Sequence, residues 1–449
     1  MKHLIVLGVT LCSLYGMSLD ESIKYALKHN NTLKQAELSV ERSKKQREMK
    51  QSQNFGRVDV SASYDHYNNS RTLAPLTPMA IVGSPDGAYQ IPTTKDMFSV
   101  GVAYNVVLFN GFAQQNSYKI SDLQYRSSAI KSKLGREELI YNVRNLYLSL
   151  LALEEQLKAQ KLYTDSESRL LERIEKEKKE GVKSKLDVLR AQNALESSKA
   201  QESSLEANIA IIKANLSAMF GDKEFDTTQA ISINIDAKSE VDSTDIHTLE
   251  RYRAAAFSVE VSKRKEQQAK AAYYPVIDFG AYYGQNFGPN DTTNIVPLTS
   301  TAPRAGQTLI NEGDFHSEDI WQLGVHLKWN IFDFGAKLAA YEAAKIEYLE
   351  SALRRDSVAI DLRKNARIAQ NKIKLARAEY SSRKSQYELL SETQKIEQIR
   401  YDNNALTLTD LLVTQAKKML AKAQMINAKY DYQKALYYLE YLYEKGEKK

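Results

Sequence analysis

Six histidines, one cysteine and many carboxylates are the residues of this chain whose types could do chemistry. His3, His29, His66, His247, His316 and His326 show no metal-ligand spacing, and without a second cysteine a structural zinc site has no donors. Cys12 sits in an N-terminal apolar run, so the rest of the chain holds neither a thiol nor a disulfide. Adjacent carboxylates such as Glu137-Glu138 and Glu154-Glu155 fall in helical tracts, where neighbours in sequence point different ways, and read as solvated surface. No nucleophile elbow, Walker loop or dinucleotide fingerprint is present. The expectation is a protein that is not an enzyme and uses no cofactor or metal.

Function must then lie in the elements themselves. From Trp321 to Ile331 the chain alternates: Trp321, Leu323, Val325, Leu327, Trp329 and Ile331 form an apolar row, and Gln322, Gly324, His326, Lys328 and Asn330 a small or polar one. Period two predicts a strand with one face in an apolar medium and the other wet. After Phe332-Asp333-Phe334-Gly335 the pattern becomes helical and stays so to about Asp402. The same junction occurs earlier: Phe98–Leu108 alternates, Phe109-Asn110-Gly111-Phe112 follows, and residues 115–180 contain no proline. A helix of that span is roughly 100 Å long. Shorter alternating stretches, Val58–Tyr64 and Val276–Tyr283, precede each pair, with polar loops at 65–97 and 284–320. Helices are expected over about 19–53, capped by Asp20 with a soft break at Asn30-Asn31, and over about 244–273.

The order of elements therefore repeats. An offset of 219 carries Asp59, Ala62 and Tyr64 onto Asp278, Ala281 and Tyr283; an offset of 223 carries Gly101-Val102, Phe109, Asp187 and Leu189 onto Gly324-Val325, Phe332, Asp410 and Leu412. Duplication with the length change confined to a loop is what a structural repeat produces. The expected division is an export signal at 1–18, a first repeat at 19–221, an irregular linker at 222–243 with a short alternating piece at Ile231–Ile235, a second repeat at 244–443 and a charged, frayed tail at 444–449. Cys12 as a lipid anchor is disfavoured by bulky Leu11. The tract Glu172–Glu180 reads as a solvated helix face.

The 62 basic and 56 acidic residues, a net charge of +6, are spread evenly and argue against nucleic acid as a partner. Mean hydropathy is −0.48, and no apolar run is long enough for a membrane helix. Any membrane span must be made of strands. Strands of ten to twelve residues, at roughly 3.3 Å per residue and tilted, match a bilayer core. Four strands cannot close a barrel, and an open sheet leaves unpaired backbone groups in lipid, so several chains must share one barrel. Trp321 and Trp329 should then face lipid, and His326 and Lys328 the lumen.

The chain resembles the TolC family of outer-membrane efflux and secretion channels. The residues carrying the likeness are Leu19–Leu27 with Asn30-Asn31, the strand-to-helix turns Phe109-Asn110-Gly111 and Phe332–Gly335, and the inter-helix turns Gly181–Leu189 and Tyr401–Leu412. The resemblance implies an α+β membrane protein whose two repeats each give two strands to a trimeric 12-stranded barrel and long helices to a periplasmic tunnel. It implies a homotrimer in the bacterial outer membrane, in contact with its lipid. It implies a passive exit duct of a tripartite efflux or type I secretion system, docked by its tip to a periplasmic adaptor (membrane fusion) protein and an inner-membrane pump of RND or ABC type. Carried over by position, Asp410 would form a carboxylate ring at the constriction, with repulsion and desolvation raising its pKa. Tyr401 and Asp187 would link neighbouring helices and hold the entrance closed. Gly181, Val182, Lys183, Ser184, Asn404, Ala405 and Leu406 would form the adaptor-docking tip. Val413 and Leu406 stand where members of the family carry a second acid and a base, which implies fewer polar ties. Helix-dipole stabilisation is the competing role for Asp410. A trimeric coiled-coil surface or adhesive protein with an anchor barrel, and a soluble periplasmic hairpin adaptor, are the alternatives in other classes.

Overall fold

The computed structural model describes residues 17–75, 92–225, 229–233, 235, 245–291 and 312–446. Most of the expected export signal, Cys12, much of both polar loops and of the 222–243 linker, and residues 447–449 lie outside the described residues. The first series of elements is α1 (Leu19–His29), α2 (Asn31–Ser52), β1 (Arg57–Thr72), β2 (Thr93–Phe109), α3 (Ala113–Lys179) and α4 (Lys185–Met219). The second is α5 (Glu250–Lys270), β3 (Val276–Pro289), β4 (Phe315–Lys328), α6 (Ala336–Asp402) and α7 (Leu408–Leu442). They form two compact units: Arg42–Tyr125 with Val259–Ser351, and Met1–Glu41 with Arg126–Ser258 and Ala352–Lys449. No helix among the described residues is long and apolar enough to cross a membrane.

The unit containing the strands is built on one antiparallel sheet in the order β1-β2-β3-β4. Its registers carry the repeat. Val58↔Tyr104, Val60↔Val102 and Tyr64↔Phe98 in β1–β2 become Ile277↔Leu327, Phe279↔Val325 and Tyr283↔Trp321 in β3–β4, under the same offsets of 219 and 223. Because side chains alternate, these registers stack the apolar rows on one face: Val58, Val60 and Tyr64 beside Phe98, Val100 and Val102, then Phe279 and Tyr283, then Trp321, Leu323, Val325 and Leu327. Most of these side chains are exposed, as a lipid-facing surface requires. Rings cluster at both ends of the apolar band. Phe98 lies 4.9 Å from Tyr64 and 5.5 Å from Phe287 at one end, and Phe109 lies 5.6 Å from Phe112 and 6.3 Å from Tyr274 at the other. The strand from Phe98 to Phe109 is about 36 Å long, or roughly 25 Å of depth at a tilt of about 45°. That is the height of a bilayer core between two aromatic girdles.

The opposite face is small and polar. Gly101 and Gly284 pair with each other, and the hydroxyl end of Tyr282 lies over both. The His326 ring lies over Gly324, where an added Cβ would meet its Cε1 at 3.1 Å. The expected division of Trp321 and His326 between the two faces is observed. Strand ends differ from expectation. β1 runs on past Tyr64 to Thr72, pairing again at Arg71 and Thr72 after an irregularity beyond His66, and β3 runs on to Pro289, because pairing with neighbours, not apolar alternation, sets their length. β4 stops at Lys328, opposite the first residue of β3, so Trp329–Ile331 are not strand. Trp329 stays exposed and donates its indole N–H to the Tyr273 carbonyl at 3.1 Å.

The helical unit corrects several local expectations. Ser18, not Asp20, caps α1, in a reciprocal capping box with Glu21. Asn30 turns the chain: its Oδ1 accepts from Leu33 N–H at 3.0 Å and its Nδ2 donates to Met219 carbonyl at 3.1 Å. Tyr147, Leu148, Leu150, Leu216, Phe220 and Ile426 form the main core. Ile231 and Ile233 pack against it without forming a strand. Glu137, expected on the surface, is buried and accepts from Gly446 N–H at 2.8 Å. The tail is therefore tied down as far as Gly446, whose carbonyl takes an Arg144 N–H at 3.1 Å. Glu444 in turn accepts from Glu250 and Arg251 N–H at 2.6 and 3.1 Å, capping the start of α5.

A Cβ at Gly284 would meet the Val100 carbonyl oxygen at 2.7 Å, whereas one at Gly280 would meet nothing closer than 3.4 Å. Gly284→Val should lower unfolding stability by about 1–3 kcal/mol in urea titrations from lipid vesicles, and Gly280→Ala should leave it nearly unchanged.

Candidate functional site

The two inter-helix turns are built alike. α3 ends in a Schellman motif, with Gly181 at φ 80°, Gly181 N–H donating to Lys178 carbonyl at 3.0 Å and Val182 N–H to Glu177 carbonyl at 2.8 Å. α6 ends the same way, with Asn404 at φ 57°, Asn404 N–H donating to Tyr401 carbonyl at 3.0 Å and Ala405 N–H to Arg400 carbonyl at 2.7 Å. Asparagine is the residue other than glycine that best tolerates this left-handed conformation. Each following helix opens on a hydroxyl cap. Ser184 donates to the Asp187 carboxylate at 2.7 Å and accepts from Asp187 N–H at 3.2 Å. Thr407 donates to the Asp410 carboxylate at 2.6 Å and accepts from Asp410 N–H at 3.3 Å. The Ser184 hydroxyl, followed by its backbone N–H, holds the Asp187 carboxyl below the usual carboxylate range. Both acids thus stabilise first turns within their own chain; Asp410 is exposed and Asp187 half-buried.

Tyr401 is buried among four helices. It is 3% exposed, packed with Leu170 and Ile174 of α3, Ala191 of α4, and Leu408 and Leu411 of α7. Lys183 Nζ lies 4.7 Å and Arg173 Cζ 5.2 Å from its ring centroid, within cation–π range. Its hydroxyl is buried with no hydrogen bond of normal geometry. Arg173 also donates to Asp402 at 2.9 Å, joining the end of α3 to the end of α6. The basic groups that face Tyr401 therefore come from the first repeat, while Leu406 packs against the same apolar cluster. Val182 and Val413 are exposed.

Arg173, Asp402 and Glu167 were not expected here. Arg173 and Ile174 belong to the tract read as solvated; Ile174 is fully buried, so one face of that tract is core. The signal was present in the spacing Leu170, Ile174, which a run of charges obscured. Glu167, one turn below, is 1% exposed, and neither carboxylate oxygen has a hydrogen bond of normal geometry. Burial pushes its carboxyl up to about 7; the Tyr163 hydroxyl, one turn earlier, favours the ionised form but does not offset the burial. A 240 Å³ cavity lies alongside, lined by Tyr163, Tyr387, Gln394, Gln415, Lys418 and Lys422 among others. Among the described residues no group of histidine, cysteine or carboxylate side chains could hold a metal ion.

A sheet with a lipid-facing side and a small polar side, carried by a chain of long helical hairpins, defines the class: a barrel-forming channel protein of a membrane. The model of the family described as outer membrane efflux protein matches residues 22–222 and 251–442, and the chain belongs to that family. It is an outer-membrane channel extending into the periplasm, with the trimeric barrel-and-tunnel fold of that family. Among solved structures it is similar to the Campylobacter jejuni CmeC outer membrane channel, at a TM-score of 0.74 and 18% identity over 95% of this chain and 86% of that one. It is similar to the open state of the Neisseria gonorrhoeae MtrE outer membrane channel, at 0.72 and 16%, covering 95% and 89%. For the outer membrane protein VceC of Vibrio cholerae the values are 0.71 and 14%, covering 94% and 95%. At these identities the likeness establishes the fold. No curated protein matches the chain in sequence.

In the unfolded chain Glu167 releases its proton near the ordinary carboxylate value of 4.5, in the folded chain near 7. The folded state binds more protons between those values, so stability falls as pH rises from about 4.5 to 7 and stays lower above. The loss is roughly 3 kcal/mol at pH 8. Glu167→Gln should remove this slope: the difference in melting temperature between variant and native protein should shift in the variant's favour from pH 4.5 to pH 8.

Proposed function

We propose that this chain is one third of a passive exit duct of a tripartite efflux or type I secretion assembly. The observation that carries the reading is the four-stranded sheet itself, apolar outside and polar inside, with β1 and β4 as free edges. Lipid offers those edges no hydrogen-bonding partner, so only further copies complete the barrel. A second observation supports association along the helices: Leu353, Ile360, Ile368, Leu375, Leu389 and Ile396 of α6 are all exposed, at seven- or eight-residue steps and their multiples. A sustained seven-residue apolar row is the seam of a coiled coil. The placement of strands inside each series of elements weighs against an adhesive stalk with a terminal anchor.

The matched turns Gly181–Ser184 and Asn404–Thr407 form the end that meets a periplasmic adaptor, through Gly181, Val182, Lys183, Ser184, Asn404, Ala405 and Leu406. A pump of RND or ABC type in the inner membrane supplies the energy, which agrees with a chain that needs no catalytic group. Asp410 contributes one carboxylate of a ring at the constriction, while its cap with Thr407 fixes the carboxylate's direction. Asp187 and the buried Tyr401 hold the two hairpin ends together, with Arg173, Lys183 and Asp402 in place of the ties that Leu406 and Val413 cannot make.

In planar bilayers the purified protein should give a small, cation-preferring conductance, measured as a reversal potential in a salt gradient. Asp410→Ala should move that potential towards zero. Arg173→Ala should raise conductance several-fold by releasing α3 from α6. Absence of any channel activity in the native protein would count against the duct.

A further inference from the structure

The β2–β3 pairing joins the second strand of one repeat to the first strand of the next. A closed ring needs the same kind of junction wherever β4 of one copy meets β1 of another. The offsets of 219 and 223 hold for the strand registers from the helix-side ends as far as His66, and also at the strand-to-helix turns: Asn110 Oδ1 accepts from Gln114 N–H at 3.2 Å, and Asp333 Oδ2 from Lys337 N–H at 3.0 Å. The β2–β3 register can therefore be carried over to the free edges. Val102↔Tyr283, Ala103↔Tyr282, Val106↔Phe279 and Phe109↔Ile277 become Val325, His326, Trp329 and Phe332 opposite Tyr64, Ser63, Val60 and Val58 of a second copy.

We propose that β4 of one copy pairs with β1 of the next in this register, that Trp329–Phe332 become strand on assembly, and that Phe334 packs against Phe55 of the second copy. The inference rests on the multi-chain duct reading. Three further observations bear on it. The register keeps Val325, Leu327 and Trp329 on the lipid side with Tyr64, Ala62 and Val60, and leaves His326, Lys328 and Asn330 with Ser63, Ser61 and Asp59 on the polar side. It also accounts for the end of β4: β2 reaches Phe109 because Ile277 is opposite, whereas Trp329–Phe332 have no strand beyond Val276 to pair with in their own chain.

The third is a mismatch. Gly111 and Phe334 are equivalent, and both are left-handed, at φ 63° and 55°. Gly111 nests in the β2–β3 junction, where a Cβ would meet the Ala271 carbonyl oxygen at 2.6 Å and Tyr274 Cβ at 2.9 Å. The equivalents of Ala271 and Tyr274 are Ser52 and Phe55. Phe334 is 93% exposed and Phe55 72% exposed in the single chain. A phenylalanine cannot occupy the glycine's nest, so the seam between copies is wider at this rim than the seam within a copy, and the two rings fill it.

The chain has one cysteine, Cys12, so paired cysteines introduced with Cys12→Ser give a direct test. On one chain Ser63 and His326 lie on opposite sheet edges, so a disulfide between them links copies. Directly opposed strand positions suit a disulfide, and positions displaced by two residues are too far apart. The variant S63C/H326C, oxidised in isolated outer membranes, should give a covalent trimer on non-reducing gels at least ~10-fold faster than S61C/H326C or D65C/H326C. Faster linking of either displaced pair would overturn the register while leaving the closed ring intact. No linking in any pair, with only monomer after an amine-reactive cross-linker, would overturn the register and the multi-chain duct together. For the rim, Phe334→Gly and Phe55→Ala should each lower the temperature at which the trimer dissociates in detergent, and the double variant should lower it no further than the larger single effect. Additive losses would overturn the ring-to-ring contact.

Discussion

Hydrocarbon cannot hydrogen-bond to a peptide group, and the rest of this chain follows from that constraint. A strand in lipid must be paired on both sides, yet one chain supplies four strands and therefore two bare edges. The sequence meets the need by repetition. Each half brings two strands in one register, so the junction between halves can serve again between molecules. The helices carry the same duplication to the tip, where two hairpin turns share one hydrogen-bond pattern although one uses glycine and the other asparagine.

Several features of the fold could be read from residue pattern because one physical cause controlled them. Alternation in Trp321–Leu327 needs only a lipid side and a wet side, and the structure has both. The absence of helix breakers from 115 to 180 needs only a long helix, and α3 has one. What could not be read depended on partners distant in sequence. β1 runs past Tyr64 because β2 is beside it, and β4 stops at Lys328 because β3 is not. Glu137 looks like surface until Gly446 comes back to it. At the tip, Asp187 and Asp410 were found by position, but their hydroxyl caps make their local role one of holding helix starts. Arg173 stayed hidden in a charged run, because charge dominates composition there while a single apolar neighbour, Ile174, marks the buried side.

The tip combines groups that would each be costly alone. A tyrosine hydroxyl and a carboxyl, neither with a hydrogen bond of normal geometry, are both buried within a few turns of the hairpin ends. Lys183 and Arg173 compensate the first through the ring's negative face. Burial of the second is tolerated by keeping its proton to near neutrality.

The glycines beneath Tyr282 and His326 have a consequence for whatever passes through. Where a barrel wall carries ordinary side chains, each one projects into the stream and offers a traveller an edge to catch on. Here the Tyr282 and His326 side chains take up the space over Gly101, Gly284 and Gly324 that Cβ atoms would otherwise fill, so both lie close against the wall. A wall this low gives a passing molecule few side chains to catch on.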